Sequence, residues 1–342
     1  MKKVFQIAIV GTGAAGLLIL LSLASLHRIP LHEILLIDPY HDGGDLQRKW
    51  GTIVSNTTWG QTMDIVEKKG VSRQSLPEPW KSLDPSVPTF LKHSIQLLQF
   101  CTKDIRETCE LLFGRCESVE QASAEAPVTL MGTDTQGKPF TVKALRVFLT
   151  FGSEPRQDTY PLPTIPLEVA LEKQRLSSYI SPTSKVMLMG TAHSGTLILK
   201  NLHEVGAEVG AFYRGETPFH FARDGEYDGI KQESEKIADA ILSDAYSPRL
   251  SLVPLTNTAQ LIRWSRKADW IIYATGFERR HFSSPLSYDG QTGKVDGFHH
   301  VWGFGIGFPN RAPDGVHWDV SLPAFATHIE AQLPKILESF YA

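Results

Sequence analysis

The stretch Val4 to Gly16 reads VFQIAIVGTGAAG: a mostly apolar, β-branched run, then Gly11, Gly13 and Gly16, then a string of helix formers from Leu17 to Leu26. The pattern predicts a buried strand, a tight turn and the start of a helix. In such a turn the first glycine permits a sharp bend, the second lets an anionic group approach the backbone, and the third lets helix and strand pack closely. The free N–H groups of the helix N-terminus point at the anion. A second apolar run, Ile34 to Ile37, ends in Asp38 and Pro39. An acidic side chain at that strand end is placed to accept hydrogen bonds from ribose hydroxyls, so the whole unit predicts a dinucleotide site. The plainer alternative is an ordinary βα turn with incidental glycines.

At 342 residues the chain is long enough for two domains, and 42% apolar against 21% charged residues describes a globular protein. The formal net charge is -3, and no basic run exceeds short pairs such as Lys2-Lys3 and Arg279-Arg280. A polyanion-binding face is therefore not expected, and neither is a nucleic-acid partner. Cys101, Cys109 and Cys116 form no CxxC pair, which argues for a reducing compartment and against a redox dithiol. Cys101 and Cys109 fit a helical apolar period and are expected in a core rather than as nucleophiles. Met1-Lys2-Lys3 before apolar residues imitates a signal peptide, and Ile7 to Leu26 invites a membrane-span reading. Spaced glycines inside that run and an acidic strand end beyond it fit a buried βα unit better, so the protein is expected to be cytoplasmic with no membrane partner.

After Asp38, the turn Asp42-Gly43-Gly44 has a bare backbone that can pass close to a cofactor phosphate. The segment from Arg48 to Trp59 has no strong period but combines Trp50 and Trp59 with Asn56, Thr57 and Thr58. Apolar plates with a few polar groups suit a ligand cleft; a capping loop that packs its tryptophans for stability is the alternative. Glu67 to Pro88 is polar and proline-spotted and reads as a surface connection. Thr89 to Phe113 carries apolar residues at helical spacing and predicts one long or two short helices. Val128 to Met131, Phe140 to Val142 and Arg146 to Thr150 then predict a small antiparallel meander, with a turn at Asp134 to Gly137, that ends in Thr150-Phe151-Gly152. Pro155, Pro161, Pro163 and Pro166 mark a stiff crossing between domains.

Beyond the prolines the opening pattern returns. Lys185 to Met189 is a strand, Gly190-Thr191-Ala192-His193-Ser194-Gly195 a turn, and Thr196 to Leu202 a helix start. Ala192 replaces the middle glycine, and its methyl would push a phosphate slightly away. The next strand, Glu208 to Tyr213, ends in Arg214 where the first copy has Asp38. An acid repels a ribose 2′-phosphate, whereas an arginine can clamp one; a solvated strand terminus is the alternative. Ser247 to Pro254 and Ala268 to Ala274 predict further strands, the second ending in Ala274-Thr275-Gly276-Phe277. Two βαβ starts, each followed at long range by a Thr-Gly strand end, amount to an internal duplication. The chain closes with a strand at Val301-Trp302, a turn at Gly303, Gly305 and Gly307, and an amphipathic helix from Pro323 to Tyr341 with Asp319 and Ser321 as possible caps.

This order of features resembles the flavoproteins with two dinucleotide-binding domains, which bind FAD in the first and NAD(P)H in the second. Within that group the Ala-Thr-Gly-Phe ending, the missing CxxC and the Trp50 to Trp59 segment are most similar to the flavin-containing and N-hydroxylating monooxygenases. The resemblance implies an α/β fold of two Rossmann-like three-layer dinucleotide-binding domains with a small antiparallel β-meander. Residues 1–160 and 281–342 would bind FAD, and an inserted domain, residues 161–280, would bind NAD(P)H.

Gly11, Gly13, Ala14, Ala15, Gly16, Asp38 and Pro39 would hold the FAD pyrophosphate and adenosine ribose, with Gly152, Gly305 and Pro323 also in that site. Trp50, Asn56 and Thr57 would lie near the isoalloxazine, Trp50 and Asn56 being the catalytic candidates. Gly190, Ala192, His193, Ser194, Gly195, Arg214, Ala274, Thr275 and Gly276 would hold the nicotinamide cofactor, NADPH ahead of NADH; His193 could contact its phosphates or the oxygen pocket, the alternative being a helix-start residue with no chemical role. The closing helix would present its positive end to negative charge on the reduced flavin. Two family features are missing: Tyr160 to Pro182 contains no His, and Gly303 to Gly307 stands in place of a Gly-Asp pair.

The implied activity is an FAD-dependent, NAD(P)H-using oxidoreductase, monooxygenase-like, acting on a small nitrogen or sulfur nucleophile. The alternatives are an NAD(P)H:acceptor flavin reductase without oxygen insertion and a non-catalytic redox sensor. His299, His300, His317 and Trp318 could line a substrate cleft or bind nothing, and their spacing fits no metal motif.

Overall fold

The computed structural model describes residues 3–219, 222–223, 226–227, 233–246, 248–283, 285–312, 315 and 318–338, with only the backbone described at 56, 222–223 and 226–227. The chain divides into two compact units, Met1–Ser153 with Arg279–Ala342, and Glu154–Glu278.

The first unit opens with strands β1 (Val4–Val10), β2 (Ile34–Ile37), β3 (Val54–Thr58), β4 (Pro88–Phe90), β5 (Glu110–Leu112), β6 (Gly114–Glu120), β7 (Val128–Asp134) and β8 (Pro139–Leu149). Its helices here are α1 (Ala14–Leu26), α2 (Asp45–Arg48), α3 (Trp59–Glu67), α4 (Leu91–Cys101) and α5 (Lys103–Thr108). Short strands β9 (Ser153–Pro155) and β16 (Phe277–Arg279) carry the two crossings. The second unit holds α6 (Leu167–Ala170), α7 (Lys173–Leu176), β10 (Lys185–Met189), α8 (His193–Val205), β11 (Glu208–Tyr213), β12 (Ala222–Arg223), β13 (Glu226–Tyr227), α9 (Glu233–Leu242), β14 (Leu250–Pro254), α10 (Thr258–Lys267) and β15 (Trp270–Tyr273). The first unit resumes with β17 (Val301–Gly303), β18 (Asn310–Arg311), β19 (Trp318–Asp319) and α11 (Leu322–Glu338).

In the first unit the sheet order is β5-β2-β1-β8-β7-β6, with β17 also on β8. β1 runs parallel to β2 and β8, and β6, β7 and β8 form the antiparallel meander. Period-two alternation divides the strand residues between two faces. Ile7 and Ile9 pack with α1 and α11, while Ala8 and Val10 pack with Val147, Leu149, Val301 and Phe308. α1 is apolar nearly all round because it lies under α11, whose Phe325, Ile329 and Leu333 join the same core. No helix among the described residues is long and apolar enough to cross a membrane. The second unit repeats the parallel βαβ start in a sheet of order β14-β11-β10-β15, with all its pairs parallel.

Several expectations change. Leu111 and Leu112 are not helical: the chain turns extended at Cys109, and Glu110–Leu112 pairs with β2 in the register Leu36↔Leu111. Long-range pairing outweighs the helical period there. The meander begins a strand earlier, at β6, and Phe140–Val142 and Arg146–Leu149 belong to one strand. β8 is mostly solvent-facing along its start and buried where it meets β1, so its apolar alternation breaks midway. The segment before Trp59 is regular after all, since β3 leads into α3. There the Thr58 hydroxyl accepts from the Gln61 N–H at 3.3 Å, and the Thr58 N–H donates to the Gln61 side chain at 3.0 Å, a reciprocal capping box. Helix α8 begins at His193, three residues before Thr196. Asp319 lies in β19 and Gly303 in β17. Ser247 and the end of the closing helix beyond Glu338 lie outside the described residues.

Candidate functional site

The first glycine turn is built so that side chains are excluded where backbone must pass. A Cβ on Gly11, at φ +99°, would lie 2.6 Å from the Thr150 carbonyl oxygen, and one on Gly16 would lie 2.0 Å from the Gly11 carbonyl oxygen. Thr150 Oγ1 donates to the carbonyls of Val10 at 2.9 Å and Gly11 at 2.7 Å, which ties the end of β8 to the turn. Gly13 precedes α1 in extended conformation, and no side chain caps the helix. The nearest heavy atom to a Cβ at Gly13 would be the Gly43 carbonyl oxygen, at 3.8 Å. Room beside Gly13 and an uncapped helix start are what an anionic ligand requires.

Asp38 is buried at the end of β2, and its carboxylate faces inward. Oδ2 accepts from the Thr12 N–H at 2.9 Å, and Oδ1 accepts from the N–H groups of Tyr40 at 2.8 Å and His41 at 2.9 Å. Burial pushes this carboxyl up, yet those backbone bonds hold it below the usual value. His41, at φ +53°, completes the knot. Its Nε2 lies 3.2 Å from the Leu112 carbonyl, an acceptor only, so Nε2 carries the proton and Nδ1 accepts from Thr12 Oγ1 at 3.4 Å. Burial pushes the His41 imidazole down, in keeping with a neutral ring. Arg106 donates to the His41 carbonyl at 3.0 Å. Thr12, His41 and Arg106 carry no motif spacing, and the sequence did not single them out.

Glycines from distant segments converge on the start of α1. Gly44 passes so close that its Cβ would lie 3.3 Å from Gly13 Cα; a Cβ on Gly305 would lie 2.6 Å from that of Ala15, and one on Gly307 2.5 Å from the Gly152 carbonyl oxygen. Gly152, at φ +79°, has nothing within 4 Å of where a Cβ would stand. Arg279 fastens this late turn: Nε donates to the Gly307 carbonyl at 2.6 Å, Nη1 to that of Leu286, and the guanidinium lies 4.0 Å from the Phe308 ring centroid. Arg280 pairs with Asp45 at the start of α2. Ser321 is the cap of α11, its hydroxyl accepting from the Ala324 N–H at 3.3 Å, with Pro323 in the first turn. Trp59, the first residue of α3, is fully buried in the core. Trp50 is also buried, and Thr57 donates its N–H to Ser55 Oγ at 2.9 Å. The Asn56 side chain lies outside the described residues.

The second turn repeats the first. A Cβ on Gly190, at φ +97°, would meet the Ala274 carbonyl oxygen at 2.4 Å, and one on Gly195 the Gly190 carbonyl oxygen at 2.2 Å. Ala192 precedes α8 with no side-chain cap, and Gly276, at φ +94°, has the same empty surroundings as Gly152. Thr191 Oγ1 donates to the Pro218 carbonyl, as Thr12 bonds to His41 in the first copy, and Thr275 Oγ1 donates to the Arg156 carbonyl at 3.1 Å. Ala14 and Ala15 are replaced by the half-buried His193 and Ser194. His193 Nδ1 lies 2.9 Å from Ser234 Oγ. Arg214 is exposed and makes no hydrogen bond or ion pair among the described residues.

The other residues that the sequence singles out lie elsewhere in the first unit. His300 Nε2 lies 2.7 Å from the Ala124 carbonyl, and the N–H groups of His299 and His300 donate to Gln121 Oε1, so this pair pins the β6–β7 connection. Trp318 packs beside Tyr288 and under Arg311; His317 lies outside the described residues. Burial pushes the thiols of Cys101 and Cys109 up to about 11 and that of Cys116 up to about 12, the behaviour of core cysteines. Among the described residues no group of His, Cys, Asp and Glu could hold a metal ion.

No protein-family profile matches the chain. The chain is similar to the monooxygenase AgnR1 of Paecilomyces divaricatus, at 23% identity over 384 residues covering 96% of this chain and 97% of that protein. Its fold matches the bacillithiol disulfide reductase Bdr of Bacillus cereus (TM-score 0.66, 13% identity, 98% of this chain and 100% of that one). It equally matches a flavin monooxygenase of Stenotrophomonas maltophilia (TM-score 0.66, 16% identity, 99% and 100%). The FAD-bound cadaverine monooxygenase DfoA of Erwinia amylovora follows (TM-score 0.64, 14% identity, 98% and 95%). These likenesses define the class by fold: a mixed α/β chain with parallel sheets, built like the flavoproteins with two dinucleotide domains.

Proposed function

We propose that this chain is an FAD-dependent, NAD(P)H-using oxidoreductase of monooxygenase type that oxygenates a small nitrogen or sulfur nucleophile. FAD belongs to the first unit and NADPH to the second, which is inserted in it. The observation that carries the reading is the uncapped start of α1, with open space beside Gly13 and with Gly44 and Gly305 packed against its first residues. Gly44 and Gly305 are glycines because of their positive φ and their close approach to α1, whereas at Gly13 the space beside the helix start is left open by the protein itself. The glycines and the open α1 amides fit a dinucleotide pyrophosphate.

The N–H groups of Ala14, Ala15 and Gly16 would hold the pyrophosphate. Asp38 Oδ2, which takes one N–H from Thr12, keeps a lone pair for a ribose hydroxyl. Trp50, Asn56 and Thr57 would line the flavin ring, and the Ser321-capped start of α11 would supply a positive dipole end that favours negative charge on it. In the second unit the α8 amides and Arg214 would hold NADPH, the arginine on the 2′-phosphate. FAD, when bound, supplies the hydride acceptor and the oxygen chemistry; the chain binds, orients and excludes water.

The match to the disulfide reductase, with the same TM-score as the monooxygenase, keeps a second reading open: an NAD(P)H:acceptor reductase without oxygen insertion. The absorption spectrum of the purified protein before and after NADPH in air, with product analysis over amines and thioethers, tests both. Flavin bleaching with an oxygenated product supports the proposal. Bleaching with only peroxide formed, whatever nucleophile is offered, supports the reductase, and a chain that takes up no flavin overturns both.

A further inference from the structure

The two glycine turns share a backbone but differ in what they offer a ligand. At the start of α1 the first helical side chains are Ala14 and Ala15; at the start of α8 they are His193 and Ser194. His193 stands in the first turn of an uncapped thirteen-residue helix, and its Nδ1 is 2.9 Å from the hydroxyl of Ser234 on α9. Ser234 is fully buried. A buried hydroxyl has to place its proton on an acceptor, and among the described residues the one within reach of Ser234 is His193 Nδ1. A neutral imidazole that accepts at Nδ1 carries its proton on Nε2. Nε2 makes no hydrogen bond among the described residues. The neighbouring Glu233 is committed elsewhere, paired with Lys200 of α8.

We infer that His193 is a cofactor-binding residue whose Nε2–H donates to a phosphate oxygen of the nicotinamide dinucleotide, and that Ser234 is the positioning residue that fixes this tautomer. The inference rests on the assignment of the second unit to NAD(P)H. It distinguishes the turns chemically: the first binds with backbone alone, while the second adds one oriented side-chain donor. Because α9 carries Ser234, the docking of that helix on α8 becomes part of the cofactor site.

The test uses the full-length protein with 15N-labelled histidine, the His193→Gln variant assigning the resonance. Nitrogen NMR should find Nδ1 unprotonated and Nε2 protonated, and NADP+ should shift the Nε2 signal. Ser234→Ala should mix the tautomers and weaken NADP+ about fivefold, the loss of one oriented hydrogen bond. Ser234→Thr, which keeps the hydroxyl, should restore both, and circular dichroism should report intact α9 in each variant. A proton on Nδ1 in the parent protein, or NADP+ binding unaltered in Ser234→Ala, overturns the inference while the cofactor assignment stands. A parent protein that takes up FAD but binds no nicotinamide dinucleotide overturns that assignment, and the donor with it.

Discussion

Gly13 and Ala192 occupy the same backbone conformation, φ -73° and ψ -168° against φ -71° and ψ -167°, each just before its helix. That region is open to every residue, and a Cβ at Gly13 would meet only the Gly43 carbonyl oxygen at 3.8 Å, so neither torsion nor packing within the protein calls for a glycine there. The first glycines of the two turns, Gly11 and Gly190 at φ +99° and +97°, are called for by torsion and by space alike.

Gly13→Ala should therefore fold with a Tm within about 2 °C of the parent, since a methyl meets the Gly43 carbonyl oxygen at an ordinary 3.8 Å. It should bind FAD more weakly. Gly13→Val should be folded and colourless, its branches filling the approach to the helix amides. Stoichiometric FAD in the valine variant, read from the absorption spectrum, would refute the site.

Asp38→Asn removes one acceptor oxygen from a carboxylate that takes three backbone N–H groups. The loss should be about 1 to 3 kcal/mol, the cost of leaving a buried donor unpaired. Because the folded carboxyl lies below its ordinary value of 3.8, the stabilisation it provides is full above that value and is lost as pH falls through the folded one. Urea titrations should find the difference between parent and variant constant near neutrality and shrinking below about pH 4.

Arg214→Ala should weaken NADPH by about tenfold or more and leave NADH nearly unchanged, because the exposed guanidinium would meet only the 2′-phosphate. Equal weakening of both cofactors in fluorescence titrations would make Arg214 a solvated strand end.

The thiols, raised to about 11 and 12 by burial, should react slowly with disulfide reagents at neutral pH and faster as pH rises or the protein unfolds. Replacing any of the three with serine should leave flavin reduction by NADPH unaltered, which stopped-flow absorbance can check.

Both βαβ starts could be read from the chain because strand, turn and helix there are contiguous and each carries its own period. Lys185–Met189 and Glu208–Tyr213 are strands with the bounds that their apolar runs suggest. Glu110–Leu112 carries no local sign of being a strand, because its partner, Ile34–Ile37, lies far back in the chain and no local period records that pairing. For His299 and His300 residue type leaves a substrate cleft and no ligand at all as alternatives, and only the tertiary structure shows their bonds to Gln121 and Ala124.

By itself, then, the sequence determined the two glycine turns, the Asp38 and Arg214 strand ends and the strand-turn-helix order around each turn, since these depend on residue type and short spacing. Tertiary structure alone decided what those groups do. It turned Asp38 inward onto Thr12, brought Gly44 and Gly305 to the first helix start, and set Ser234 against His193. The physical reason is that hydrogen bonds and close approaches between distant segments depend on where the backbone has been carried, which no run of neighbouring residues encodes.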